Sequence, residues 1–585
     1  MKLVGKGHRA RDLVELAIGW AILVLVLFIV SFFTLRLDLT TEGRFTLTEP
    51  TKELFRGSDD VVFVRVYLEG ELPADLGRLR QSTKELLDEI RAYAPDKLDY
   101  VFVDPSEDGD EKARAQIYDD LQQQGLQYTS LRIREKDGAS EKIVFPGALV
   151  TYQGRTLPLQ LLKTQLRTPD AEMVNRSVNN LEYEFANTVR QLTRKERPRV
   201  AFLEGHGELD ELQVKDISTL LSEQYDLSRV RIDGQLAALS ERQEGMRYRS
   251  NRYDALIVAK PDSAFSDKDR FVIDQFIMNG GRVLWLLDAM NAHLDSLREK
   301  QFSIATPLEL GLEDLLFAYG VRINNDLVLD RSCAPIEIYT QPYGNQRKLE
   351  RFNWYFEPVL VSDGSHPIVT NLDPIHTRFV STMDTIGTDS VTKTILLTTS
   401  PYIRVMRNPV RIGLGIVELD LSMDPKGTPA PLAILLEGKF RSAFTDRISP
   451  RFAEEDEIGY RERGRRSAQI VISDGDVIAN RTDREKGMYY MLGYDRYAGT
   501  KIYGNRELIA NAMNYLLDDQ SLISVRSRHI ALRKSDPERI VQERTRWQVV
   551  GLSVPAGASI LLGLLFHFWR KGRYSKRVTK NRQGP

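Results

Sequence analysis

Cysteine is almost absent from this sequence. The single Cys333 among 585 residues excludes an intramolecular disulfide framework and any multi-cysteine zinc site. Nucleotide and hydrolase signatures are absent too. There is no G-x-x-x-x-G-K-[ST], so the chain is not itself an ATPase. There is no G-x-S-x-G and no H-E-x-x-H. Neither charge sign dominates: 81 Lys and Arg against 82 Asp and Glu leave −1. That balance gives no support for nucleic-acid binding. The mean hydropathy of −0.33 excludes a polytopic membrane protein. The length allows roughly three or four domains.

What is present is an apolar run at each end. Leu13 to Phe33 is 21 residues long with one charge, Glu15, enough for about 30 Å of hydrocarbon as a helix. It is too long for the apolar core of a cleavable signal, and no small-x-small site precedes Thr34. Val549 to Phe568 is uncharged and bracketed by Trp547 and Trp569, rings that favour the membrane interface. Lys2, Lys6, Arg9 and Arg11 precede the first run. Seven cations, from Arg570 to Arg582, follow the second. Positive flanks stay in the cytoplasm. The expectation is therefore an inner-membrane protein with cytoplasmic tails at 1–12 and 569–585. Its spans are 13–33 and 549–568, and residues 34–548 lie in the periplasm. Those residues hold 70 basic and 80 acidic side chains, about ten net negative charges. In the second run Ser553 and Gly557, and Ser559 and Gly563, stand four apart, a spacing that lets helices approach closely in lipid. Gly and Pro are also simply common in such helices. Pro555 predicts a kink.

Between the spans the pattern is α/β. After a linker at 34–57, strand and helix signals alternate. Asp60–Leu68 and Leu98–Val103 read as strands, Gly77–Tyr93 and Lys112–Gln124 as helices. Further strands are expected at 130–134, 142–152 and 157–159. A thioredoxin-like domain over 58–165 fits this order, without redox chemistry because no C-x-x-C is present. A bridging helix is expected within 166–197. From 198 to 520, apolar strands at 200–203, 227–232, 255–259 and 283–287 alternate with helices near 212–225 and 267–278. That pattern predicts a doubly wound parallel sheet. Pro307–Tyr319 reads as helical, Asp446–Arg466 as a charge-rich loop, and 521–548 as a juxtamembrane stalk.

Two motifs follow strands. Glu204-Gly205-His206-Gly207-Glu208 ends the strand at 200–203, where open α/β sheets bind ligands. Two carboxylates and an imidazole suit a metal in principle, but no supporting ligand stands nearby in sequence. The plainer and preferred reading is a glycine-shaped loop whose polar groups cap the next helix, so neither metal nor cofactor is assigned. Ser473-Asp474-Gly475-Asp476 also follows a strand. Asp474 and Asp476 suit a cation or an amine, and a β-turn explains the same letters. No role is assigned to His366 or His376, and nothing marks Cys333 as a nucleophile.

Several stretches taken in order resemble the GldG family, the gliding-motility-associated auxiliary subunits of ABC transporters in Bacteroidetes. They are TTEGRFTLTEPTKEL from Thr40, RVAFLEGHGE from Arg199, PLAILLEGKF from Pro431, IVISDGDVIAN from Ile470, GNRELIANAMNYLL from Gly504 and LISVRSRHIALR from Leu522. The resemblance implies a non-catalytic, so-called substrate-binding subunit. Its implied partners are a membrane permease, a separate cytoplasmic ATPase, gliding or type 9 secretion machinery and a second copy of the chain. It also implies a class I glutamine-amidotransferase-like middle domain. The strand at 255–259 leads into Lys260-Pro261 rather than a cysteine, so that chemistry is not carried over. The alternatives are a membrane-anchored envelope hydrolase or amidotransferase-like enzyme, and a periplasmic scaffold that binds polysaccharide or protein.

Overall fold

A computed structural model gives the architecture. It describes residues 46–518 except 108–109, 136–137, 163–169, 298–299, 341–347, 388–389, 420–426 and 456, then 522–527 and 537–578. In the first apolar run it describes only positions 14, 17–22, 24, 25 and 28, which are helical and exposed. The rest of that expected span, the first tail and the end of the basic tail lie outside the described residues.

The N-terminal α/β region opens with α1 (Glu49–Arg56), which has Pro50 in its first turn, where the missing N–H costs nothing. Then come β1 (Val62–Val66), α2 (Ala74–Tyr93), β2 (Leu98–Phe102), α3 (Glu111–Gln123) and the hairpin β3 (Thr129–Glu135) and β4 (Gly138–Val144). β5 (Gly147–Tyr152), β6 (Arg155–Gln160) and α4 (Asp170–Thr193) complete it. The sheet order is β2-β1-β5-β6. β1 and β2 are parallel, and β5 runs antiparallel to both β1 and β6. The expected single strand at 142–152 is two strands in two sheets. Pro146, which has no N–H to donate, separates them. Val62, Val64 and Val66 alternate inward and meet Leu79, Leu87 and Ile90 of α2 and Phe185 and Val189 of α4.

The larger α/β region starts with β7 (Arg199–Glu204), α5 (Lys215–Ser222), β8 (Asp226–Arg231), β9 (Ala255–Ala259), α6 (Asp267–Met278) and β10 (Arg282–Leu286). It continues with α7 (Glu313–Tyr319), β11 (Val321–Ile323), β12 (Asp326–Asp330), β13 (Cys333–Thr340), β14 (Lys348–Leu360) and β15 (Met383–Thr385). β16 (Val391–Thr398), β17 (Ile403–Arg407), β18 (Pro431–Arg441), β19 (Arg463–Ile472) and α8 (Asn505–Leu516) follow. Seven strands form one sheet in the order β16-β18-β19-β10-β9-β7-β8. β8, β7, β9, β10 and β19 are parallel, whereas β18 and β16 are antiparallel additions. The sheet is thus mixed rather than wholly parallel.

Residues alternate between two buried faces, which is why the central strands read as continuous apolar runs. Val200, Phe202, Ile257 and Leu284 face α5 and α8 through Ile217, Leu221, Ile509 and Met513. Ala201, Leu203, Leu256 and Trp285 face α6 and α7 through Ile273, Phe276 and Leu316. Trp285 is fully buried and donates its indole N–H to Gln469 Oε1 at 2.8 Å. Burying such rings contributes on the order of 25 cal/mol per Å² of apolar surface.

The C-terminal unit is α9 (Pro537–Val578) with Pro555 inside it. Glu543–Lys571 is long and apolar enough to cross a membrane and is wholly unburied.

Candidate functional site

The strand order reverses between β7 and β9, because β7 is flanked by β8 on one side and β9 on the other. Ligands of open α/β sheets bind at the carboxyl ends of strands at such a point. Here the chain's own residues occupy it. Gly205 and Gly207 have φ of 120° and 75°, values that only glycine adopts without strain. A Cβ on Gly207 would stand 1.6 Å from Asp262 Oδ1. The His206 carbonyl accepts from the Asp262 and Ser263 amides at 2.9 and 3.0 Å, so the loops after β7 and β9 are tied together.

The imidazole of His206 is buried. Its Nδ1 lies 3.2 Å from Glu208 Oε1 and its Nε2 3.3 Å from Asp269 Oδ2. Its ring stacks on Phe265 with centroids 3.8 Å apart. Burial opposes a charge on His206, but the hydrogen bond and charge of Glu208, then those of Asp269, outweigh it and hold the imidazole above its ordinary value. Burial likewise raises Glu208, and its bonds from His206 more than reverse that. Of the three expected residues, His206 and Glu208 are together. Glu204 turns away to an ion pair with Arg229 of β8.

A second cluster caps β9, β10 and β19. Lys260 follows β9 at φ 53°. Its Nζ lies 2.5 Å from Asp476 Oδ2 and 3.4 Å from Asp288 Oδ2. The Gly475 amide donates to Asp288 Oδ1 at 2.6 Å. Asp474 accepts from the Arg378 amide at 2.8 Å and the Asp476 amide at 2.7 Å. Burial, then repulsion from Asp476 and Asp288, pushes Asp474 well above the carboxylate range. Burial also acts on Asp476, but Lys260 and Arg378 reverse it. Asp476 is therefore the carboxylate set directly against Lys260, whereas Asp474 takes up a proton more readily than a free carboxylate. Next to this group Glu357 accepts from His376 Nε2 at 3.0 Å, and His376 stacks on Tyr503 with centroids 4.8 Å apart.

The sequence reading named Asp474 and Asp476 but not their partners. Lys260, Asp288 and Asp269 were findable in part, since Lys260 and Asp288 directly follow apolar strands. Asp269 gives no local signal: it lies 63 residues from His206 and is brought there by α6. The Cys333 thiol is pushed up to about 12 by burial and by Asp330, which suits an inert side chain. His366 Nδ1 accepts from the Ile368 amide at 3.3 Å. Among the described residues no three His, Cys, Asp or Glu side chains converge as a metal site. In α9, Ser553 and Ser559 bond back to the Val549 and Pro555 carbonyls. A Cβ on Gly557 or Gly563 would meet nothing within 4 Å.

Residues 197–512, which contain both clusters, match the transporter-auxiliary family described as "ABC-type uncharacterized transport system". Residues 41–151 match a "Domain of unknown function (DUF7088)". An uncharacterized protein of Borreliella burgdorferi is 20% identical over 576 residues, covering 96% of this chain and 99% of the relative. A solved structure, the "mmIFT52 N-terminal domain", aligns over 55% of this chain and 97% of its own, with 14% identity and a TM-score of 0.30. The first match spans more than half of the sequence and takes in the whole seven-stranded sheet, so the chain belongs to the family of ABC-type transport system auxiliary proteins.

Proposed function

We infer that this protein is a non-catalytic auxiliary subunit of an inner-membrane ABC transporter complex. It works beside a permease and a separate cytoplasmic ATPase, in the setting of gliding motility and the associated type 9 secretion apparatus. The observation that carries the reading is the family match over residues 197–512. A transport system of this class has permease and ATPase partners in general, and this chain carries no phosphate-binding loop of its own. The helix Glu543–Lys571 supports membrane attachment. The basic residues beyond it favour a cytoplasmic C-terminus. With Leu13–Phe33 as a second span, both tails are cytoplasmic and 34–548 is periplasmic.

In this reading 58–165 is a thioredoxin-like domain, favoured by the β2-β1-β5-β6 order with β1 and β2 parallel. Residues 198–520 form an amidotransferase-like domain with insertions. Glu204, His206, Glu208, Asp474 and Asp476 close the strand ends rather than react, because each has its partner within the fold. The stripe Ser553, Gly557, Ser559 and Gly563 packs against a permease helix.

The test is purification from native membranes in mild detergent. The full chain brings down a permease in fixed proportion, and a chain lacking 543–571 but keeping the first span does not. Equal recovery of the permease with both chains would refute the coupling.

A further inference from the structure

Just before β9 the chain makes a hairpin that a doubly wound sheet does not call for. Two short strands, Ser240–Glu241 and Ser250–Asn251, close it. Every residue from 241 to 248 is exposed, so the loop stands out from the fold as a convex tip.

The base of the tip is fixed. Arg249 Nε donates to Ser240 Oγ at 2.8 Å and its Nη2 to the Ser240 carbonyl at 3.1 Å. Its Nη1 reaches across to the Glu457 carbonyl at 3.1 Å. On that facing segment Arg461 donates from its amide to Gln275 Oε1 at 2.7 Å and from Nε to Asn279 Oδ1 at 2.9 Å. Two guanidinium groups lie over the Tyr248 ring, Arg461 Cζ at 3.7 Å and Arg247 Cζ at 5.6 Å from its centre.

Cations crowd here without anions. Burial, then repulsion from Arg242 and Arg252, holds Arg249 below its ordinary value. Burial, then repulsion from Arg465, does the same to Arg461. Among the described residues no carboxylate pairs with any of these six arginines, Glu241 and Glu244 of the hairpin included. Glu462 pairs with Arg441 instead, and Glu457 meets Arg249 through its main-chain carbonyl. The result is a local positive field on an acidic body, which favours an anionic partner at this place. At the apex Met246 and Tyr248 are 58% and 36% exposed. Arginine, tyrosine and an apolar side chain together suit the boundary between lipid and water. Shape decides between anionic partners. A nucleic-acid strand is tracked by a groove, whereas a projecting tip with an apolar apex fits a broad surface that it can enter.

We propose that this tip docks on an anionic bilayer, with its arginines on lipid phosphates and Met246 and Tyr248 in the interface. The inference rests on the membrane attachment proposed above, which brings lipid to the tip at high effective concentration.

The full chain is placed in nanodiscs of phosphatidylcholine alone and of phosphatidylcholine with about 30% phosphatidylglycerol. Amide hydrogen exchange is read over 241–248. Co-elution with the disc reports on α9 and exchange reports on the tip, so the two readings fail separately. Exchange is expected to slow several-fold in the anionic discs alone and to recover in about 0.5 M salt, where screening is strong. Arg242→Gln with Arg247→Gln, both in the exposed loop and checked for unchanged melting, is expected to lower the contact equilibrium about thirtyfold, the effect of losing two cations at a lipid surface. Met246→Ser with Tyr248→Ser is expected to weaken it with the charges intact. Equal exchange in the two discs overturns the proposal. So does unchanged protection in the double arginine variant. Protection by single-stranded oligothymidine in neutral discs that matches the protection by anionic lipid also overturns it, because the tip would then bind any polyanion.

Discussion

The two clusters at the strand ends solve one problem in different ways. Where β7 and β9 diverge, a titratable imidazole sits between Glu208 and Asp269. At the ends of β9, β10 and β19, Lys260 is set among three aspartates. In the first cluster two carboxylates hold an imidazole above its ordinary value, whereas in the second a lysine ammonium offsets the burial of carboxylates. Both lie where other open α/β sheets place ligands, and both use their polar groups on the protein itself. A carboxyl-end cluster is therefore weak evidence for a ligand until its partners are counted.

Removing the fixed cation gives the sharpest contrast. Lys260→Met leaves Asp476 and Asp288 buried without compensation and should cost about 3–5 kcal/mol. The loss should narrow as pH falls, because the stranded carboxylates then have raised folded values and bind protons. Denaturant melts at pH 7 and 5 measure both. A loss under about 1 kcal/mol would mean that water already reaches the cluster.

A smaller effect is expected at the other cluster from Gly207→Ala. Its φ of 75° and the closeness of Asp262 should cost about 1–3 kcal/mol. The same melts read it, and a neutral result would mean that the two loops are not tied as described.

His206→Gln separates the clusters by pH. A folded imidazole held above its unfolded value contributes stability fully present below about pH 6.5. That contribution is lost as pH rises through the folded value. The native chain's margin over the variant should therefore shrink as pH rises above about 6.5, and a constant margin would contradict an imidazole held above its ordinary value. Glu208 and Asp269 are lowered, so their contribution is lost instead as pH falls through their folded values.

Glu204→Gln should matter least. Its pair with Arg229 is 34% and 25% exposed, and such pairs contribute about 0–1 kcal/mol. A larger loss would draw Glu204 into the His206 cluster after all.

Local chemistry made part of this fold legible. The apolar run Ala255–Ala259 and the helix Asp267–Met278 fall where their letters put them. Ser266 caps that helix by accepting from the Asp269 amide at 3.2 Å. Pro307–Tyr319 was only half right. A strand runs through Pro307, and the helix begins at Glu313, after Gly311 turns the chain at φ 74°. The charged stretch at 446–466 hid a strand beginning at Arg463. Its outer pairs, Lys439 with Arg466 and Arg441 with Arg463, extend beyond the core, so no hydrophobic period marks them.

The site was legible as residue types but not as partnerships. Asp474 and Asp476 stood out beside a strand, while Lys260 comes from 216 positions before Asp476. The strand Asp326–Asp330 is legible from its apolar letters, but its pairing with Ile403–Arg407 is not, because pairs across strands depend on register.

The most direct measurement is the mass and composition of the assembly released intact from native membranes. The account predicts a particle in which this chain, a permease and an ATPase occur in a fixed ratio that survives His206→Gln. A chain that emerges alone, or in no constant ratio to a transporter, would contradict it.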